Sequence, residues 1–122
     1  MIGMDVQAML VVAEKMPGDP HVRDYGALVA AQARHAATVI GDDVYPSITA
    51  KAAALLHTLL RVDALHERNR VFAWMVALRF LQTNGVALPK VDPVSAFEML
   101  EGVIRGRTGV ESLAAWLAEQ VR

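Results

Sequence analysis

The sequence has no cysteine, no excess of basic residues and no long uninterrupted apolar run. Without cysteine there can be no disulfide framework, no thiolate nucleophile and no cysteine-bound zinc. Twelve Lys and Arg against thirteen Asp and Glu give a formal charge of −1, unlike the basic excess typical of nucleic-acid-binding proteins. The longest apolar candidate, residues 71–81, contains Arg79 and falls short of the roughly 18 residues that a membrane span needs. We therefore expect neither a nucleic-acid partner nor a membrane partner.

The beginning of the chain also lacks a basic leader before the apolar residues 8–13, which argues against a signal peptide and for a cytoplasmic location. A length of 122 residues suits one domain, residues 1–122. Hydrophobic residues make up 54% of the chain, and the mean hydropathy is +0.31. This apolar excess indicates either a large core or a surface that meets a partner or a second copy.

Helix signals dominate the chain. Helix N-caps are predicted at Asp5, Asp24, Ser47 and Asp92, the last followed by proline at the first helical position. The helix after Asp24 is expected to fade near Gly41. A capping box of Thr108 and Glu111 predicts a last helix that ends at Arg122. The one candidate for a short strand is Val86–Leu88.

Residues 71–81 are apolar at ten of eleven positions, which leaves no face for water. We predict that a helix over about residues 69–84 is buried on every side, with Phe72, Trp74, Met75 and Phe80 in the core, and that Gly85 ends it. The predicted fold class is all-α, a compact bundle of about six helices around this central helix.

A polar stretch, residues 63–70, directly precedes the central helix. The first N–H groups of a helix lack intrahelical acceptors. Here they lie at Arg68 and Arg70, so the start of the helix favours the binding of an anion. Glu67 is placed to hold a divalent metal that bridges phosphates. The alternative is a solvated loop that only caps the helix, with Asn69 as the N-cap. Both interpretations remain open from the residues alone.

Several segments of the chain resemble the Fic/Doc family, and more narrowly its short Doc (death-on-curing) toxins. They are Lys51–Arg61, the polar loop, Ala73-Trp74, Phe80-Leu81-x-x-Asn84-Gly85, Arg23-Asp24-Tyr25-Gly26-x-Leu28 and Gly41-Asp42-Asp43-x-Tyr45-Pro46. The resemblance covers about residues 5–122. It implies an all-α fold whose signature loop joins two central helices.

The signature of active members runs His, a hydrophobic residue two positions on, then an acidic residue, a small residue, Asn, Lys and Arg. The corresponding residues here are Asp63, Leu65, Glu67, Arg68, Asn69, Arg70 and Val71. By resemblance, Asp63 stands at the position of the catalytic base and Glu67 at that of the metal ligand. Arg68, Asn69 and Arg70 stand at nucleotide-binding positions, and ATP with Mg²⁺ are the cofactors implied.

At three positions, Asp63, Arg68 and Val71, the sequence departs from the signature in a way that weakens the family's transfer reaction. An aspartate carboxylate is a weak base at neutral pH and adds negative charge beside an anionic transition state. Arg68 adds bulk where phosphate approaches the backbone, although its guanidinium can bind phosphate differently. Val71 removes a charge-assisted contact worth about 1.5–3 kcal/mol. His66 is a candidate replacement base, or else a plain surface residue.

Three functions remain open. The first is a Doc-like homologue that acts by binding a partner, with impaired phosphate or AMP transfer; the resemblance implies a Phd-type antitoxin and, as target, elongation factor Tu. The second is an active enzyme, a nucleotide-dependent transferase or a diverged activity, with a redesigned site for an anionic substrate in the same loop. The third is a structural subunit that forms homo-oligomers.

Overall fold

The computed structural model describes residues 1–88 and 90–121, which form six α-helices and one small hairpin. The helices are α1 (Val6–Glu14), α2 (Tyr25–His35), α3 (Ile48–Arg61), α4 (Asn69–Thr83), α5 (Pro93–Ile104) and α6 (Val110–Gln120). Strands β1 (Thr38–Val39) and β2 (Asp42–Asp43) pair antiparallel between α2 and α3. The predicted all-α class is therefore confirmed.

Four helices begin where the sequence predicts. The side chains of Asp5, Asp24, Ser47 and Asp92 each accept a hydrogen bond from the backbone N–H three residues on. Each bond satisfies one of the N–H groups that a helix start leaves without a partner. At the other end of α4, Gly85 has the predicted positive φ of 76°.

The predicted capping box of the last helix is wrong. The N-cap of α6 is Gly109, and no side chain caps that helix. Thr108 belongs instead to the end of α5, where its backbone N–H donates to the carbonyl oxygen of Gly102 (3.1 Å). Helix α6 ends at Gln120, and Arg122, where the prediction ended it, lies outside the described residues.

Helix α3 is the most completely buried helix in the described structure. It packs against α2, α4, α5 and α6, and every residue from Lys51 to Leu56 is buried. Helix α4 packs against α3 on one side and α1 on another, but Val71 is 50% exposed and Met75 43% exposed. The prediction that α4 is buried on every side, with Met75 in the core, is therefore wrong. An apolar composition cannot indicate how many neighbours surround a helix.

The hairpin lies where no strand was predicted. Helix α2 already ends at His35, and the chain then forms β1 and β2, whereas Val86–Leu88 is not a strand. The two residues of the turn, Ile40 and Gly41, have φ values of 51° and 81°. Positive φ at both positions is the geometry that two-residue hairpin turns favour, but it is uncommon for a β-branched residue such as Ile40.

His35 fastens the beginning of the chain to the core. Its Nε2 accepts a hydrogen bond from the backbone N–H of Met4 (3.1 Å), and its Nδ1 donates to the carbonyl oxygen of Gln32 (2.7 Å). The ring also meets Phe80 edge to face, with 5.4 Å between centroids. Burial holds the pKa of His35 below its ordinary value.

Among the described helices, none is both long enough and apolar enough to cross a membrane.

Candidate functional site

The loop between α3 and α4, residues 62–68, is held against the segment that precedes α2. Arg23 donates its backbone N–H to the carbonyl oxygen of Ala64 (2.7 Å), and His66 donates to that of His21 (3.0 Å). Ala64 and Leu65 are buried in the core. These contacts attach the loop to the core although most of its side chains face solvent.

Asn69 ties the loop to both flanking helices. Its Oδ1 accepts hydrogen bonds from the backbone N–H groups of Ala64 (2.9 Å) and Leu65 (3.2 Å). Its Nδ2 donates to the carbonyl oxygen of Leu59 in α3 (2.6 Å). Asn69 is the first residue of α4 and not its N-cap, so that interpretation of Asn69 is wrong. The amide is fully engaged with the backbone and has a positioning role.

The N-cap of α4 is Arg68, which forms no side-chain capping hydrogen bond. Its φ of 56° and ψ of 33° place it in the left-handed region, which glycine adopts at little cost. A residue with a side chain pays about 1–2 kcal/mol there. The small residue implied by the family signature at this position suits the backbone better than arginine does.

The side chain of Arg70 contacts α5. Its guanidinium forms an ion pair with the carboxylate of Glu101 and lies 4.8 Å from the centre of the Phe97 ring. Arg105 binds the same carboxylate at 2.7 Å. The hydrogen bond from Arg105, followed by the charge of Arg70, holds the pKa of Glu101 below its ordinary value. Much of the positive charge expected in the loop is therefore neutralised.

The remaining predicted residues are exposed. Asp63 lies 3.8 Å from Arg23, and both side chains are about 60% exposed, so this ion pair contributes little. His66 and Glu67 face solvent. All six predicted site residues nevertheless line one open cleft of about 450 Å³, together with Leu60, Leu65 and Ile104. The cleft thus brings together all the residues that the sequence predicted for the site, whose roles stay predictions.

The cleft is a poor fit to the nucleotide and metal that the resemblance implies. Arg70 is engaged by Glu101, Val71 carries no charge, and the Arg68 side chain stands where a small residue is expected. Within the described residues, no group of three His, Asp or Glu side chains is arranged to hold a metal ion. Glu67 offers an exposed carboxylate next to the start of α4, but a single carboxylate does not make a metal site.

One residue beside the site was not predicted from the sequence. Glu101 was not predicted as part of the site, because it lies 31 residues beyond Arg70 and no motif links the two. His57 in α3 is partly buried, and its Nδ1 lies 2.9 Å from Nη1 of Arg34. Burial, followed by the charges of Arg34 and Arg61, lowers the pKa of His57, whereas Glu111 opposes this effect.

The fold and the site together define an all-α protein of the Fic/Doc type, in which a signature-like loop joins two packed helices. A comparison with curated proteins supports this class: over 102 residues the chain is 45% identical to Toxin Doc of Mycolicibacterium smegmatis. The match covers 83% of this chain and 78% of the relative. The chain belongs to the Doc toxin family. No family model matches the chain.

Proposed function

We propose that this protein is a Doc-type toxin homologue that acts by binding a protein partner and whose nucleotide-dependent phosphate or AMP transfer is impaired. The main support for the proposal is that two positions expected to bind phosphate in the cleft offer no free cation. Arg70 is paired with Glu101, and Val71 stands where active members have a phosphate-binding arginine. A phosphate group would have to compete with a carboxylate already bound by two arginines.

Asp63 supports the same proposal. Its carboxylate is exposed, lies 3.8 Å from Arg23 and stands where the family's catalytic histidine is expected. The partners in keeping with the relative's description as a toxin are a separate antitoxin chain of the Phd type and a target such as elongation factor Tu. Both come from the family resemblance, and we place the encounter in the cytoplasm.

A thermal-shift series with ATP, GTP, UTP, CTP and inorganic phosphate, with and without Mg²⁺, tests the impaired transfer. We expect the melting temperature of the natural chain to stay unchanged. A variant that restores the family's residues, Asp63→His with Arg68→Gly and Val71→Arg, should be stabilised by a nucleotide. At about 100 times its dissociation constant, a ligand adds about 2.7 kcal/mol, or several degrees.

A growth assay tests whether the chain arrests growth without phosphate transfer. Induction of the natural chain and of Glu67→Ala should arrest cell growth equally, because a binding function does not need a metal-binding carboxylate at Glu67. Equal phosphate incorporation into purified elongation factor Tu with and without the chain should accompany this result. Growth arrest that disappears in Glu67→Ala, together with label on the factor, would contradict the proposal.

The second candidate is an active enzyme with a redesigned site. The observation in its favour is that Asp63, His66, Glu67 and Arg68 share one cleft with exposed polar ends. A Mg²⁺-dependent thermal shift of the natural chain with one nucleotide, lost in Glu67→Ala, would favour this candidate. We rank it second because Arg70 is paired with Glu101 and Val71 stands where a phosphate-binding arginine is expected.

A further inference from the structure

The tip of the hairpin presents an isoleucine to solvent. Ile40 is 98% exposed, whereas most large apolar side chains of the described chain are at least partly buried. It is held at positive φ by a turn in which a β-branched residue is disfavoured. The next residues, Asp42 and Asp43, are acidic, and Asp43 lies 3.2 Å from Lys51 Nζ. We call Ile40 and Asp42 together the acidic knob.

A groove of complementary character lies between α1 and α4. It has a volume of about 150 Å³ and is lined by Val12, Lys15, Met75, Leu78, Arg79 and Gln82. Its floor is apolar and its rim carries two cations, which form no ion pair within the described part of the chain. We call it the basic groove. Met75, which sequence reasoning placed in the core, is 43% exposed here.

We propose that the acidic knob of one molecule docks in the basic groove of a second copy of this chain. A cavity of about 150 Å³ admits a benzene molecule, and therefore also the four-carbon side chain of Ile40. Docking would bring the Asp42 carboxylate to the rim formed by Lys15 and Arg79, where opposite charges attract. No residue of the hairpin lines the groove in its own chain.

The geometry of this contact is head-to-tail. Knob and groove are different surfaces of one molecule. The contact therefore closes when two or more copies fill each other's grooves, as a reciprocal dimer or a ring, and otherwise continues into open chains. The contact uses neither the cleft nor its residues, so the proposal stands or falls independently of the proposed function.

Sedimentation velocity over a range from micromolar to millimolar protein tests the proposal. We expect the average mass of the natural chain to rise with concentration above that of the monomer. Ile40→Asn removes the apolar anchor and Arg79→Glu reverses a charge on the rim, and each should weaken association about tenfold or more. Val94→Thr is the matched control, since Val94 is an apolar residue on α5 that is 63% exposed and lies outside knob and groove.

Mixing two defective variants tests whether the knob of one copy contacts the groove of another. Ile40→Asn retains an intact groove and Arg79→Glu retains an intact knob, so an equimolar mixture should form a 1:1 complex that grows no further. Circular dichroism of each variant confirms its fold beforehand. A natural chain that stays monomeric at every concentration, association that persists in Ile40→Asn, or a mixture that stays monomeric would each overturn the proposal.

Discussion

Asn69 shows how a single amide can determine the shape of a functional loop. Three hydrogen bonds connect its side chain to the backbone on both sides of the loop, at Ala64, Leu65 and Leu59. Partly buried backbone groups that lose their partners cannot all regain them from water. An asparagine at this position is therefore useful to the fold whether or not the cleft performs chemistry.

We expect Asn69→Ala to lower the free energy of unfolding by about 1–3 kcal/mol, because three partly buried backbone groups lose their partner. Urea unfolding followed by circular dichroism measures the change. His66→Ala is the control: this exposed residue of the same loop should change stability by less than about 0.5 kcal/mol. Equal effects of the two substitutions would contradict the positioning role of Asn69.

At Ile40, in contrast, a substitution should stabilise the chain. Asparagine tolerates positive φ and is favoured before glycine in a two-residue hairpin turn, so Ile40→Asn should raise the free energy of unfolding by about 1 kcal/mol. The neighbouring Val39→Thr, which leaves the turn unchanged, is the control. Thermal unfolding at a concentration low enough to keep the chain monomeric measures both variants. A destabilised Ile40→Asn would show that the isoleucine is not strained.

At the scale of elements, one ion pair anchors the hairpin to the centre of the fold. Lys51 lies on α3 with its side chain only 3% exposed, and its Nζ is 3.2 Å from Oδ2 of Asp43 in β2. The contact is an ion pair without good hydrogen-bond alignment, since Nζ has no hydrogen-bond partner within the described residues. The position of the hairpin thus depends on a charge buried in a neighbouring helix.

Removing the Asp43 carboxylate should therefore destabilise the chain more than removing the Lys51 charge. We expect Asp43→Asn to destabilise the chain by about 1–3 kcal/mol, because a buried ammonium loses its counter-charge. Lys51→Met should be nearly neutral or stabilising, since it replaces the charge by an apolar group of similar length. In that background Asp43→Asn should have little effect. A double-mutant cycle in urea measures the coupling, and additive effects would contradict it.

The sequence predicted the helices well because their signals are local. Each cap at Asp5, Asp24, Ser47 and Asp92 acts within three residues of itself, so neighbouring residues suffice to predict it. The strands of the hairpin have two residues each, which is too short for a periodic pattern. Thr108 failed as a cap because its backbone closes the preceding helix, an alternative with equally local signals.

At the scale of the whole molecule, two partly or fully buried histidines make stability depend on pH. His57 accepts a hydrogen bond from Arg34, and His35 accepts one from Met4, so both rings are neutral in the folded chain. Burial lowers both pKa values, and their ordinary value of 6.5 applies after unfolding. Below that pH the unfolded chain binds more protons than the folded one, so stability falls.

We expect the free energy of unfolding to decrease from about pH 7.5 to about pH 5.5 and to be fully retained above this window. His57→Gln keeps an acceptor for Arg34 and cannot titrate, so it should flatten part of the decrease. His21→Gln, at an exposed histidine, should leave the curve unchanged. The lowered pKa of Glu101 acts separately: its contribution is lost only in more acidic solution, as pH falls through that pKa. Stability that stays constant or rises on acidification would contradict the role of His35 and His57 in the pH dependence.

The sequence by itself determined the helical class, four helix starts and the segment that forms the cleft. These depend on caps, on apolar spacing and on a contiguous polar stretch, and neighbours in the chain control all three. The tertiary structure decided which helix is most buried, since α3 and α4 are both strongly apolar and only packing distinguishes them. It also decided the charge of the cleft. Glu101 reaches Arg70 from a distant helix, and no local pattern reports a contact between residues so far apart in sequence.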